Sequence, residues 1–102
     1  MIAPSLAQLL KLDEVNFRQF FSGSPIKRIG RDRFIRNVLI AAGNSNDLSL
    51  IAEVKIHLND LSPLVRAMAV WALGQLSKNE FAQERKNAAE TDIDVLKEWN
   101  LQ

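Results

Sequence analysis

The stretch at residues 60–76, DLSPLVRAMAVWALGQL, decides how this chain folds. Ser62 followed by Pro63 favours a helix start, because serine can cap free N–H groups and proline suits the first helical position. Beyond Pro63, only Arg66 and Gln75 interrupt an apolar or small circumference. A helix that is apolar on most sides is buried by its neighbours. The sequence therefore predicts a central core helix surrounded by other helices.

Helix start and stop signals recur along the rest of the chain. No segment of four or more residues alternates cleanly between apolar and polar residues, so no strand is predicted. Ser24, Pro25 and Gly30 bound one tight helical turn, SPIKRI. The other helices are predicted from residue 5 over about two turns, within 12–21, from 31 to 42, from 47 or 49 to 58, after a Ser77–Glu80 capping box, and after a Thr91–Asp94 capping box.

A weak internal repeat relates these helices. Aligning Gly43 with Gly74, 31 residues later, superposes small or apolar residues: Phe34 on Val65, Val38 on Ala69, Leu39 on Val70 and Ala41 on Ala72. The segment TDIDVLKEW is a degenerate third copy, with Val95 in the place of Val65. Each unit is a helix pair that cannot cover its own apolar face, so the units are expected to stack.

The run at 60–76 is similar to the Asp-x-x-x-x-Val-Arg-x-x-Ala-x-x-Ala-Leu-Gly pattern of HEAT-like repeats. This resemblance implies an all-α fold, a short HEAT-like α-α superhelix of about three helix pairs. Residues 1–102 are expected to form a single domain, since 102 residues are too few for two.

Composition excludes several classes of protein. The apolar content of 47% and charged content of 25% are ordinary for a globular domain. The absence of cysteine excludes disulfides, thiolate metal sites and a cysteine nucleophile, and the one histidine leaves little scope for other metal or general-base chemistry. No apolar run approaches the roughly 20 residues of a membrane-spanning helix. The N-terminus lacks the pattern of a secretory signal, so a cytoplasmic protein without membrane contact is expected.

Positive charge is concentrated in one segment, which we call the basic corner. Its five cations stand against Asp32 alone and give a local charge of +4, although the whole chain carries only +1; they are Lys27, Arg28, Arg31, Arg33 and Arg36. At 100° per residue, Arg33, Arg36 and Asn37 fall opposite the apolar face of their helix. Such a patch attracts anions more strongly than the net charge suggests.

A phosphate-rich ligand is the partner that this pattern favours. The planar fork of arginine binds phosphate through two hydrogen bonds, and affinity for nucleic acid grows with the number of phosphates contacted. The alternative is a solvated helix face with no ligand. No Gly-rich phosphate loop, Ser/His/Asp set or carboxylate pair at a plausible site is present, so no catalytic residue is predicted.

The run GSPIKRIGRDRFIRNVLIAAGNS at 23–45, together with residues 60–76, closely resembles the C-terminal HEAT-like region of epoxyqueuosine reductases. LDEVNFRQFFSGSP and the pair Glu98-Trp99 extend the likeness over almost the whole chain. The resemblance implies a C-terminal module separated from an oxidoreductase that completes queuosine in tRNA. In that family, N-terminal domains carry cobalamin and two [4Fe–4S] clusters, and no cofactor is expected in this chain.

The resemblance also implies a site and partners. The expected partners are a tRNA anticodon stem-loop and the N-terminal catalytic domains of the same polypeptide. Matching the family run residue by residue assigns the five cations of the basic corner to phosphate contacts, while Asn37 could instead bond a neighbouring turn. The alternative is a HEAT-like interaction scaffold whose basic corner docks an acidic partner or domain.

Three other features are interpreted as structural. His57 has no second metal ligand at helical spacing, so we expect it to be solvated or locally hydrogen bonded. Arg66 is expected to bond an acidic side chain or a carbonyl of the adjacent repeat, with Asp60 as a candidate. Trp71 is assigned to the core and Trp99 to a terminal lid. The acidic residues Glu90, Asp92 and Asp94 are attributed to capping of the last helix.

Overall fold

The computed structural model describes residues 4–101 as seven α-helices and three short 3-10 helices, with no strand in that range. The all-α prediction is confirmed. The α-helices are α1 (Leu6–Leu10), α2 (Glu14–Phe20), α3 (Arg31–Gly43), α4 (Ile51–Ile56), α5 (Pro63–Leu76), α6 (Lys78–Asn87) and α7 (Ile93–Leu101), and the 3-10 helices are Pro25–Ile29, Leu48–Leu50 and His57–Asn59.

Helix α5 is the centre of the core, as its composition predicts. Half of its residues are buried, and helices α3, α4, α6 and α7 all pack against it. Val65, Ala69 and Leu73 have no exposed surface, which places one complete helical stripe inside the protein. Trp99 of α7 is buried as expected, and Trp71 is half-buried against the core.

The contact between α3 and α5 is the most extensive in the fold, and Gly43 makes it possible. A Cβ atom at Gly43 would lie 2.5 Å from Cζ3 of Trp71 and 3.1 Å from Cα of Ala72. The helices therefore approach at a distance that only glycine permits. Ala41, which the repeat alignment superposes on the buried Ala72, is instead exposed.

Most predicted caps are present, but the last helix begins differently from the prediction. Ser24, Asp47, Ser62 and Ser77 each accept a backbone N–H at the start of a helix. Only half of the predicted Ser77–Glu80 capping box forms, because the Ser77 N–H donates to the Leu73 carbonyl and the Glu80 side chain pairs with Lys55. At α7 the predicted Thr91–Asp94 capping box is wrong. The carboxylate of Asp92 accepts the backbone N–H groups of Asp94 and Val95 at 2.9 and 3.2 Å. An aspartate one residue closer to the helix reaches those groups directly.

The packing order is compatible with a stack of helix pairs. Helices α3, α5 and α7 follow one another by packing, α4 and α6 lie against α5, and the molecule measures 42 × 27 × 17 Å. The HEAT-like superhelix and the single domain remain interpretations. Among the described helices, none combines the length and apolar character needed to cross a membrane.

Candidate nucleic-acid interface

The basic corner is built on a backbone elbow between α2 and α3. Gly23 and Gly30 have φ angles of 78° and 83°, in the left-handed region that side-chain-bearing residues avoid. Between them, the Ser24 hydroxyl accepts the Ile26 N–H at 3.2 Å and Pro25 begins the 3-10 helix. Gly30 ends that helix and immediately precedes α3. Gly30 therefore separates the 3-10 helix from α3 with a backbone conformation that favours glycine, at the position where the Ser-Pro and glycine signals predict a turn.

Aromatic rings anchor this elbow to the rest of the protein. Phe17 of α2 is completely buried and lies 5.3 Å, centroid to centroid, from Phe34 of α3. Phe21 contacts both rings at 5.2 and 4.9 Å. Such tilted and edge-on pairs stabilise by about 0.5–1.5 kcal/mol beyond their buried area. The cluster holds α2 beneath the start of α3 and fixes the position of the basic corner.

The five cations of the basic corner are not equivalent. Lys27, Arg28 and Arg33 are exposed, whereas Arg31 and Arg36 are half-buried. Lys27 and Arg28 line a shallow cavity of about 560 Å³ with Gly23, Ser24 and Pro25. Within residues 4–101, no carboxylate forms an ion pair with any of the cations except Arg31.

Arg31 is engaged by the protein itself. Its guanidinium lies 2.7 Å from the Asp60 carboxylate and 3.0 Å from Asp32, and its Nε donates to the Leu12 carbonyl. Burial lowers the pKa of Arg31, but hydrogen bonds to these two carboxylates raise it overall. Burial likewise favours a higher pKa for Asp60, yet hydrogen bonds from Arg31 and the Ser62 N–H lower it. The geometry favours a structural role for Arg31, and its predicted phosphate contact remains untested.

Arg66 makes a comparable contact with the turn that precedes α7. Asp60 and Glu90, 30 residues apart, each accept the backbone N–H two residues on, from Ser62 and Asp92. Arg66 grips the Glu90 carboxylate through two hydrogen bonds of 2.8 and 3.1 Å, and these lower the pKa of Glu90. The turn at Asp60 is thus bound by Arg31 of α3, and the turn at Glu90 is bound by Arg66 of α5. The structural interpretation of Arg66 holds, but Asp60 supplies it with a carbonyl at 2.8 Å, not a carboxylate.

Arg36 has no acidic partner among residues 4–101. Its neighbour Ile35 is fully buried, and Arg36 itself is half-buried. Arg36 donates only to the Asn37 side chain at 3.3 Å, and its buried Nε has no hydrogen-bond partner among the described residues. An unsatisfied buried donor is costly, and an external acceptor could reach this one only after the Arg36 side chain moves.

His57 differs from its predicted solvated or local environment. It is buried, and its Nε2 donates to the carbonyl of Leu10, 47 residues away, at 2.7 Å. Its Nδ1 lies 3.7 Å from Asp60. The sequence gives no sign of this contact because Leu10 and His57 meet only in the tertiary fold. Among residues 4–101, no group of three or more His, Cys, Asp or Glu side chains could hold a metal ion.

Comparison with known proteins points to one enzyme. An epoxyqueuosine reductase of Alicycliphilus denitrificans is 40% identical over 78 residues, which is 69% of this chain. Those of Shigella dysenteriae and Escherichia coli are 31% and 30% identical over 97% of it. The chain is homologous to a segment of the epoxyqueuosine reductases.

This homologue of the epoxyqueuosine reductases matches only part of each relative. It spans 22% of the length of the Alicycliphilus protein and 24% of the Shigella and Escherichia proteins. No protein-family profile matches it. No solved structure matches it either.

Proposed function

We propose that this chain is the substrate-holding module of an epoxyqueuosine reductase, and that its basic corner grips backbone phosphates of a tRNA anticodon stem-loop. One observation carries the proposal. Four cations, Lys27, Arg28, Arg33 and Arg36, lie within ten residues along the elbow and the start of α3, and none forms an ion pair with a carboxylate among residues 4–101. The homology to epoxyqueuosine reductases supports the choice of ligand.

The geometry suits a row of phosphates better than one small anion. Lys27 and Arg28 border the cavity of the elbow, while Arg33 and Arg36 follow on the first two turns of α3. Arginine binds phosphate oxygens through paired N–H donors, which suits Arg33 on the exposed face of α3. Arg31 would act as a positioning residue, since its pair with Asp60 fixes the start of α3.

The reduction itself would occur outside this module. The family chemistry implied by the sequence resemblance needs cobalamin and iron–sulfur clusters, and this chain supplies no cysteine thiolate for a cluster. The residues of the basic corner would hold and orient the RNA for catalytic domains elsewhere in the enzyme.

Binding of an anticodon stem-loop by the 102-residue chain tests the proposal. We expect binding at low salt that weakens as salt rises, because phosphate contacts release counterions. Arg28→Ala and Arg33→Ala should each weaken binding by about 3–10-fold and reduce the salt slope by roughly 0.7–0.9. The effect should be similar for unrelated stem-loops, because phosphate contacts carry no sequence information.

Arg18→Ala is the matched control. Arg18 is an exposed arginine of neighbouring α2, and Glu14 already pairs with it at 3.0 Å. Its replacement should leave RNA binding within about twofold of wild type. Absence of stem-loop binding by the wild-type chain at low salt would refute the proposal, as would equal losses in the Arg18, Arg28 and Arg33 variants.

A second candidate function is docking of an acidic partner or of another domain of the same enzyme. Ile26 and Ile29, each 41% exposed, lie among the cations and would suit an acidic surface with apolar contacts. This candidate predicts that Ile26→Ser weakens association with the separately expressed remainder of an epoxyqueuosine reductase. RNA binding of that variant should then be unchanged.

A further inference from the structure

A second concave basic surface lies between α5 and α6. The cavity has a volume of about 570 Å³, and none of its lining residues belongs to the basic corner. It is lined by Gly74, Lys78, Phe81, Ala82, Arg85 and Lys86.

The floor of this cavity is apolar and its rim is cationic. Gly74 has no side chain and Ala82 has one carbon, so space remains above the buried ring of Phe81. Arg85 and Lys86 follow Lys78 by seven and eight residues, about two helical turns, so the three cations lie on one side of α6. The result is a recess suited to a ligand with an apolar body and negative charge.

The acidic residues of α6 do not neutralise this rim. Glu80 and Glu84 both pair with Lys55 of α4, at 3.1 and 3.2 Å. Within residues 4–101, no carboxylate forms an ion pair with the three rim cations. Helix α6 therefore presents its negative charge to α4 and its positive charge to the cavity.

One rim cation is hydrogen bonded to the neighbouring helix. Nη2 of Arg85 donates to the Asn100 side chain of α7 at 3.0 Å, which restrains the guanidinium plane beside the recess. A planar guanidinium can stack on a nucleobase, whereas lysine acts on phosphate mainly as a point charge. The rim thus combines the planar guanidinium of Arg85 with the ammonium groups of Lys78 and Lys86.

We propose that this cavity holds one unstacked nucleotide of a bound RNA strand, with the base over the apolar floor and the flanking phosphates at the cationic rim. The proposal rests on the proposed function and extends it to a second contact. Duplex phosphates alone need no apolar recess, but an unstacked base does, and single-stranded RNA is recognised by such combined contacts. One recess with three cations also matches one base between neighbouring phosphates.

Binding of hexauridylate, an RNA without a stem, tests this site. We would measure it in the Arg28→Ala/Arg33→Ala background of the 102-residue chain, where the basic corner contributes little. Ala82→Leu fills the recess and leaves every charge in place, and we expect it to weaken binding at least about fivefold. Lys86→Gln removes one rim charge and should weaken binding about 3–10-fold with a smaller salt slope.

Two controls match these variants. Ala52→Leu adds the same atoms at an exposed position of α4, and Lys97→Gln removes an exposed lysine of α7 outside the cavity. Both should bind hexauridylate like the background protein. Circular dichroism of each variant would verify that the helices are intact.

The remaining outcomes overturn the inference. If Ala82→Leu binds normally, the recess holds no base, even when Lys86→Gln weakens binding. If an acidic phenylalanine-containing peptide occupies the cavity and hexauridylate does not, the ligand is a protein. Either result leaves the proposed function standing as long as the anticodon stem-loop binds at the basic corner, whereas loss of stem-loop binding refutes the proposed function itself.

Discussion

Gly43 shows how a single residue sets the distance between two helices. It lies at the end of α3, where alanine would normally be the better helix former by about 0.5–1 kcal/mol. Tertiary packing reverses that preference, because the position of a Cβ atom is already occupied by Trp71 and closely approached by the backbone of Ala72. Helix propensity therefore predicts that Gly43→Ala stabilises the protein, whereas helix packing predicts that it destabilises the protein.

We expect Gly43→Ala to lower the free energy of unfolding by about 1–3 kcal/mol, the usual cost of an overpacked core. Urea denaturation followed by circular dichroism would measure it. The double variant Gly43→Ala/Trp71→Leu should be less destabilised than the sum of the two single changes, because the smaller side chain relieves the clash. A single variant as stable as wild type would show that α3 and α5 can separate without cost.

Some arginines of this molecule form ion pairs with its own carboxylates and others do not, and the sequence distinguishes the two groups only partly. Charge density alone identifies the basic corner, and the Ser-Pro and glycine signals predict its elbow. The pairing of Arg31 with Asp60 could not be predicted, because the two are 29 positions apart in the sequence and meet only when α3 packs against α5. The same limit applies to the Arg66–Glu90 pair and to the His57–Leu10 hydrogen bond.

At the scale of an element, α7 depends on one capping carboxylate. Asp92 accepts two backbone N–H groups at the helix start, and the helix then buries Val95 and Trp99 against the core. A short helix has little intrinsic stability in water, so its cap and its apolar face must act together. The sequence correctly predicts the helix and assigns capping to its acidic residues, among them Asp92, but the predicted Thr91–Asp94 capping box is wrong.

Asp92→Ala should destabilise the protein by about 1 kcal/mol, within the range of lost N-caps. Asp94→Ala is the matched control, because Asp94 lies in the first turn of the same helix but caps no N–H group. Its loss should cost only the smaller helix-dipole contribution of about 0.3–0.5 kcal/mol. Thermal unfolding monitored by tryptophan fluorescence would compare the two, and equal effects would contradict the assignment of the cap to Asp92.

At the scale of the whole molecule, two arginine–carboxylate pairs join helices to turns later in the chain. Arg31 links α3 to the turn before α5, and Arg66 links α5 to the turn before α7. Asp60 and Glu90 are only about one-tenth exposed, so water screens these pairs less than surface pairs. The lowered pKa values of both carboxylates mean that their ionised forms stabilise the stack.

This arrangement predicts a defined loss of stability in acid. A carboxylate whose pKa is lower in the folded state stabilises the protein fully above its unfolded pKa, about 4, and the effect disappears as the pH falls through the folded value. The free energy of unfolding should therefore fall from about pH 5 towards pH 3. Glu90→Gln should cost about 1–3 kcal/mol at pH 7, as expected for a charged hydrogen bond.

The pH profile provides the check on this prediction. Denaturant unfolding at several pH values should show a shallower acid-side loss in Glu90→Gln than in wild type. Glu14→Gln, which removes one partner of an exposed pair on α2, should change stability by less than about 0.5 kcal/mol and keep the wild-type profile. Parallel profiles for wild type and Glu90→Gln would contradict a role for the Arg66–Glu90 pair in acid stability.

The separation of half-buried ion pairs from unpaired surface cations has a kinetic consequence. Electrostatic attraction extends about 8 Å at physiological ionic strength and about 3 Å at 1 M. Raising the ionic strength should therefore slow the diffusional encounter of a polyanion with Lys27, Arg28 and Arg33, whose side chains are exposed. The Arg31–Asp60 and Arg66–Glu90 pairs are largely buried, so the same ions screen them less. Concentrated electrolyte should therefore weaken the attraction of a polyanion to the surface while the protein stays folded.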